Sequence, residues 1–107
     1  MHELQRRANS HFTSNWPQED ARGRALALLE EAGEVARAVL KRSRGNRGTP
    51  EQWTANLGEE LADVTICALA LAELEGFELE TLVAVKLSVL EQRDVNHDPI
   101  ASDAVTV

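Results

Sequence analysis

The chain contains little cysteine, which cross-links small proteins, and few aromatic residues, which often fill their cores. Its 107 residues include one cysteine, two tryptophans, two phenylalanines and no tyrosine. The lone Cys67 can form neither an internal disulfide nor a zinc site, so we expect a reducing compartment, the cytoplasm. With so few aromatics, the core must consist of leucine, alanine and valine, which favours helices.

Long apolar runs and an excess of positive charge are missing as well. The N-terminal segment MHELQRRANSHF lacks the apolar centre of a signal peptide, and no apolar stretch is long enough to cross a bilayer. The formal net charge is −7, which argues against binding duplex nucleic acid through its phosphates. We therefore expect neither a membrane nor duplex nucleic acid as a partner.

The apolar residues recur with helical periodicity, and no segment alternates for long enough to form a convincing strand. Four helices are predicted, over residues 2–13, about 18–44, about 50–75 and about 78–93. The tail from about 95 to 107 lacks periodicity, and we expect it to be extended. The sequence therefore predicts a single all-α domain over residues 1–107, a bundle of about four helices.

Local signals mark the ends of the two central helices. Gly45 follows a run of basic residues and ends the second helix. Thr49 caps the third helix, with Pro50 at its first position and Gln52 placed to complete a capping box. Gly76 fits the left-handed position that follows the third helix.

The third and fourth helices carry more apolar surface than one small domain could cover. Between positions 64 and 72 the third helix is apolar on nearly every side. The fourth helix has a stripe that we expect to be buried, formed by Leu79, Leu82, Val83, Leu87 and Leu90. We therefore predict a homodimer or homotetramer.

Acidic residues gather in two short clusters, one on each central helix. Because each helical residue turns by about 100°, Glu30, Glu31 and Glu34 share one face of the second helix. Glu60 and Asp63 have the same spacing of three on the third helix. If the two helices pack antiparallel across the loop that joins them, the two clusters can face each other.

Carboxylates that meet between helices repel one another unless a cation neutralises them. Carboxylate oxygens without a thiolate suit Mg²⁺ or Mn²⁺, which often share their sites with phosphates. The clusters therefore predict a polyphosphate ligand. A single Glu-x-x-Glu is common on exposed helix surfaces, but these acids interrupt apolar stripes, as Glu31 does between Leu28 and Ala32.

The two clusters, in this order, resemble the motifs of the MazG-like members of the all-α NTP pyrophosphatase superfamily. The pattern Glu-Glu-x-x-Glu followed by Glu-x-x-Asp is matched by EEAGE at 30–34 and ELAD at 60–63. The resemblance spans roughly residues 15–93. It implies a homo-oligomeric helical bundle that hydrolyses a nucleoside triphosphate to the monophosphate and pyrophosphate with Mg²⁺, in house-cleaning of the nucleotide pool.

The resemblance also implies roles for individual residues. The principal metal would be held by Glu31, Glu34, Glu60 and Asp63. Glu30 would hold a further metal, or orient and deprotonate the attacking water. Lys86 and Arg93 match the ends of a family pattern Lys-x-x-x-Asn-x-x-Arg that meets the phosphates, although Leu90 replaces its Asn. Trp16 could stack on the base.

Several of these interpretations have alternatives. Lys86 and Arg93 equally fit cations that stabilise a helix C-terminus, and Trp16 equally fits a packing anchor. His11 is interpreted as a surface residue and Cys67 as a small core residue. For the whole chain, the alternatives are a metal- and nucleotide-binding relative without turnover, or a purely structural helical oligomer.

Overall fold

A computed structural model describes residues 1–45 and 47–96, with side chains described as far as Asp94. These residues form four helices: α1 (His2–Asn15), α2 (Ala21–Arg44), α3 (Pro50–Leu74) and α4 (Leu79–Asn96). The all-α prediction is confirmed, since the described residues contain no strand. Positions 95 and 96 are helical rather than extended, and the rest of the expected tail lies outside the described residues.

The central helix is α3, against which both α1 and α2 pack. The buried core joins α1 to α3 and consists of Ala8, Phe12, Cys67, Leu69 and Ala70. Cys67 is a buried free cysteine, so its interpretation as a core residue is confirmed. This packing covers, within one chain, part of the apolar surface of α3 on which the oligomer prediction depends.

Both ends of α3 follow the sequence prediction. Thr49 Oγ1 accepts a hydrogen bond from the Gln52 backbone N–H (3.2 Å), and Gln52 Oε1 accepts one from the Thr49 backbone N–H (2.9 Å). After α3, Gly76 adopts a φ of 79°, and the Phe77 N–H donates to the Ala72 carbonyl oxygen at 2.9 Å. These bonds satisfy backbone groups that helix ends leave unpaired.

The start of α2 lies later than predicted, because Asp20 caps the helix. Asp20 Oδ1 accepts hydrogen bonds from the backbone N–H groups of Arg22 (3.0 Å) and Gly23 (3.3 Å). Its other oxygen, Oδ2, lies 2.8 Å from Arg22 Nη2. At the other end, α2 ends at Gly45, as predicted, and Gly45 adopts the left-handed conformation with φ 63°.

The fourth helix stands apart from the body formed by α1, α2 and α3. Its first residue, Leu79, is half-buried against the core. The remainder of the predicted buried stripe is exposed, namely Leu82, Val83, Leu87 and Leu90. That prediction is wrong for a single chain, because no described helix covers these side chains.

None of the described helices combines the length and the apolarity needed to traverse a lipid bilayer.

Candidate metal site

Three carboxylates from two helices meet between α2 and α3. Glu31 lies on α2, and Glu60 and Asp63 lie three residues apart on α3. One oxygen of each residue lies within 4.8 Å of the other two. Glu31 and Glu60 are half-buried, whereas Asp63 is exposed. We call these three residues the acidic triad.

The short connection between α2 and α3 explains this meeting. Gly45 ends α2 in a left-handed conformation, and the Thr49 capping box starts α3 only a few residues later. Two helices joined by so short a loop become antiparallel neighbours. The acids that precede the loop therefore face the acids that follow it.

The acidic triad brings negative charges together at a position that is partly shielded from solvent. Burial raises the pKa of the Glu31 carboxyl above its ordinary value. Repulsion raises it further, and comes from the carboxylates of Asp63, Glu60, Glu34 and Glu30. A divalent cation would offset this repulsion, and a donor set made only of carboxylates is the kind that Mg²⁺ and Mn²⁺ prefer. The residues present therefore fit such an ion.

Two further predicted site residues, Glu34 and Glu30, lie beside the acidic triad but outside it. Glu34 Oε1 lies 3.2 Å from Arg37 Nη1, one turn further along the same helix. Glu30 is exposed. Both are close enough to raise the pKa of Glu31. The structure thus brings together three of the four predicted metal ligands and leaves the fourth paired with an arginine.

A groove of about 800 Å³ between α1 and α3 adjoins the acidic triad. Glu31 and Asp63 are among the residues that line it, so the groove opens directly onto the acids. On the α1 side, the groove is lined by Leu4, Arg7, Ala8, His11, Phe12 and Trp16. Trp16 is 50 % exposed and therefore accessible to a molecule in the groove.

Aromatic rings form one wall of this groove. The Trp16 ring centroid lies 5.4 Å from that of Phe12 and 6.0 Å from that of His11. We call these three rings the aromatic wall. His11 is exposed, which confirms its interpretation as a surface residue, but that interpretation missed its place in this wall. The sequence shows that three of the few aromatic or imidazole rings in the chain fall within positions 11–16, but not that they line a groove.

Other groove residues differ in what they can contribute. Arg7 brings a positive charge that sequence reasoning also missed. Burial raises the pKa of the Cys67 thiol, and nearby acids such as Glu31 add to the rise. The reactive thiolate is thereby disfavoured, which argues against Cys67 as a nucleophile. Lys86 and Arg93 are exposed on α4 and are not among the residues that line the groove.

Comparison with known proteins identifies the family. The model of the MazG nucleotide pyrophosphohydrolase domain matches residues 22–96. No curated protein and no solved structure matches the chain significantly. The matched range includes both acidic clusters and covers more than two thirds of the 107 residues. The chain therefore belongs to the MazG nucleotide pyrophosphohydrolase domain family.

Proposed function

We propose that this chain is a Mg²⁺-dependent nucleoside triphosphate pyrophosphohydrolase that cleaves an NTP or dNTP to the monophosphate and pyrophosphate. House-cleaning of the nucleotide pool is the corresponding role, and Mn²⁺ is a second candidate ion. The observation that supports this proposal is the acidic triad, whose oxygens lie within 4.8 Å of one another beside a groove. Membership of the family supports the same class of reaction.

The acidic triad would hold the ion. Glu34 would complete the set by leaving Arg37, since an ion pair between partly exposed groups is weak and easily exchanged. When bound, the ion would place positive charge next to the phosphate oxygens and would lower the pKa of a coordinated water. Glu30, exposed beside the acidic triad, would accept a proton from the attacking water while the bond between the α and β phosphoryl groups breaks.

The groove would hold the nucleoside part of the substrate. Trp16 offers a half-exposed ring on which a base can stack, and His11 extends the same surface. The groove lies next to the acidic triad, so a nucleotide with its base on the aromatic wall would extend its phosphates towards the acids. Arg7, in the same groove, would add positive charge near them.

The working unit would be a homodimer or homotetramer. The exposed apolar residues of α4 include Val83 at 45 % and Leu87 at 50 %, a surface that association with another copy would remove from water. Lys86 and Arg93 lie on this same helix and do not line the groove of their own chain. In an assembly they would be available to phosphates bound by a neighbouring copy.

The proposal is tested by incubating the protein with a panel of NTPs and dNTPs plus Mg²⁺ and identifying the products by chromatography. At least one substrate should give the monophosphate and pyrophosphate in equal amounts. Binding of ion and nucleotide without any product would instead identify a relative without turnover. Failure to bind Mg²⁺ or Mn²⁺ at all would leave only the structural oligomer.

A further inference from the structure

Arg24 of α2 is a buried cation, only 2 % exposed. Among the described residues, it takes part in no ion pair. Its Nη1 donates to Asn9 Oδ1 (2.5 Å) and to the Ala70 carbonyl oxygen (2.6 Å), and its Nη2 donates to Thr13 Oγ1 (3.2 Å). A buried charge without a counter-ion depends on such bonds, and these three connect α2 to α1 and to the backbone of α3.

The same guanidinium lies against the aromatic wall. Its central carbon is 5.5 Å from the centroid of the Phe12 ring, within the range of a cation–π contact. Phe12 in turn contacts Trp16, and both rings line the groove. Arg24, Asn9 and Thr13 do not line it. Arg24 therefore contacts the aromatic wall from outside the groove.

The two ends of α1 are held by different residues. Near its start, the buried Gln5 donates to Glu73 Oε1 (2.9 Å) and accepts from the Leu79 backbone N–H (3.0 Å). Arg24 bonds instead to Asn9 and Thr13, in the second half of α1, which contains His11 and is followed directly by Trp16. Loss of Arg24 should thus free the aromatic wall without releasing the whole helix.

The acidic triad does not depend on these contacts. Its three residues lie on α2 and α3, which pack closely against each other along a shared interface. Moving the end of α1 would therefore change the width of the groove but leave the acids together. Ion binding and nucleotide binding should respond differently to a change at position 24.

We propose that Arg24 is a positioning residue that fixes the aromatic wall at a set distance from the acidic triad. The inference rests on the proposed function, because it assigns the groove to the nucleoside part of a triphosphate. Arg24 itself would touch neither the nucleotide nor the ion. It would hold the aromatic wall through its contacts with Asn9, Thr13 and Phe12.

A Trp53→Phe parent makes the inference measurable, since it leaves Trp16 as the sole tryptophan. In this parent, Arg24→Met should increase quenching of Trp16 fluorescence by acrylamide, because the end of α1 is no longer held. We expect KM for the triphosphate to rise about tenfold with kcat within about threefold of the parent. Mn²⁺ affinity, measured by calorimetry, should stay within about twofold of the parent.

The matched control is Arg22→Met, which removes an exposed arginine two positions earlier on the same helix. It should change neither the quenching nor KM. If circular dichroism shows that Arg24→Met is unfolded, the double variant Asn9→Ala/Thr13→Val replaces it. That variant removes two acceptors from α1 and should reproduce the increased quenching and the raised KM.

Two results would overturn the inference. One is unchanged quenching and unchanged KM in the folded variant. The other is a fall in Mn²⁺ affinity that parallels the rise in KM, which would show a general structural role. A parent that hydrolyses no triphosphate refutes the proposed function instead, and Trp16 quenching then still decides whether Arg24 holds the aromatic wall.

Discussion

Asp63 is the most exposed member of the acidic triad, so its carboxylate can be removed with little effect on packing. We predict that Asp63→Asn lowers kcat by about 100-fold or more, since an amide cannot supply the charge that a Mg²⁺ ligand provides. Without metal, the variant should be as stable as the wild type or more stable by up to about 0.5 kcal/mol, because repulsion is relieved. Product formation and urea denaturation measure the two effects.

Glu59 supplies the matched control for that variant. It is the acid immediately before Glu60, it is exposed, and it lies outside the acidic triad. Glu59→Gln should keep wild-type turnover. Equal losses of turnover in Glu59→Gln and Asp63→Asn would show that turnover depends on overall charge rather than on the acidic triad.

Sequence spacing located the acids, because residues three apart on a helix share a face whatever the tertiary structure. It could not show that Glu34 pairs with Arg37, since that choice depends on side-chain rotamers. Nor could it place His11 and Arg7 in the groove. Their role depends on how α1 packs against α3, which no local pattern specifies.

At the scale of elements, the helix caps make a prediction about acid stability. Hydrogen bonds from the Arg22 side chain and the Gly23 backbone lower the pKa of Asp20 below its ordinary value of 3.8. A carboxyl with a lower pKa in the folded chain stabilises the fold above the unfolded pKa, and this stabilisation is lost as the pH falls through the folded value. Asp20→Ala should therefore lower the melting temperature at pH 7, and by progressively less as the pH falls below 3.8.

Thr49→Ala tests the same idea with a cap that does not titrate. It removes the Thr49 Oγ1 acceptor of the α3 capping box and should cost about 1 kcal/mol at neutral and acid pH alike. Melting curves of both variants from pH 7 to pH 3 measure the difference. A pH dependence of equal size in the two variants would contradict the assigned origin of the Asp20 shift.

The helix ends also show where sequence reasoning succeeds. The ends of α3 were predictable because each is specified within a few residues, at Thr49 and at Gly76. The start of α2 was predicted too early, at about residue 18, whereas Asp20 supplies the capping oxygen and the helix begins at Ala21. The apolar pattern thus identifies the helices, and the capping residues decide where they begin and end.

At the scale of the whole molecule, the described part of the chain is more extended than a domain of its length usually is. Its radius of gyration is 17.4 Å, whereas a compact domain of this size has about 13 Å. The outlying α4, with its exposed apolar side chains, accounts for part of this extension. How much of α4 is buried could not be predicted from its own sequence, since the periodicity shows which face is apolar but not which element covers that face.

We predict that wild-type protein sediments as a dimer or tetramer rather than at the 11.8 kDa of one chain. Leu87→Glu places a charge in the exposed apolar stripe of α4 and should shift the protein to monomers. Ser88→Glu places the same charge on the next residue, which points about 100° away around the helix, and should not. A monomeric wild type at micromolar concentration would contradict this prediction.

The central claim is that the acidic triad binds a divalent cation, and calorimetric titration with Mg²⁺ and Mn²⁺ tests it most directly. Wild type and Glu59→Gln should bind the ion, and Asp63→Asn should bind it at least about tenfold more weakly. The titration is made with and without a nonhydrolysable nucleotide. A wild-type protein that binds neither ion under either condition, or an Asp63→Asn variant that binds as tightly as the wild type, would contradict the account.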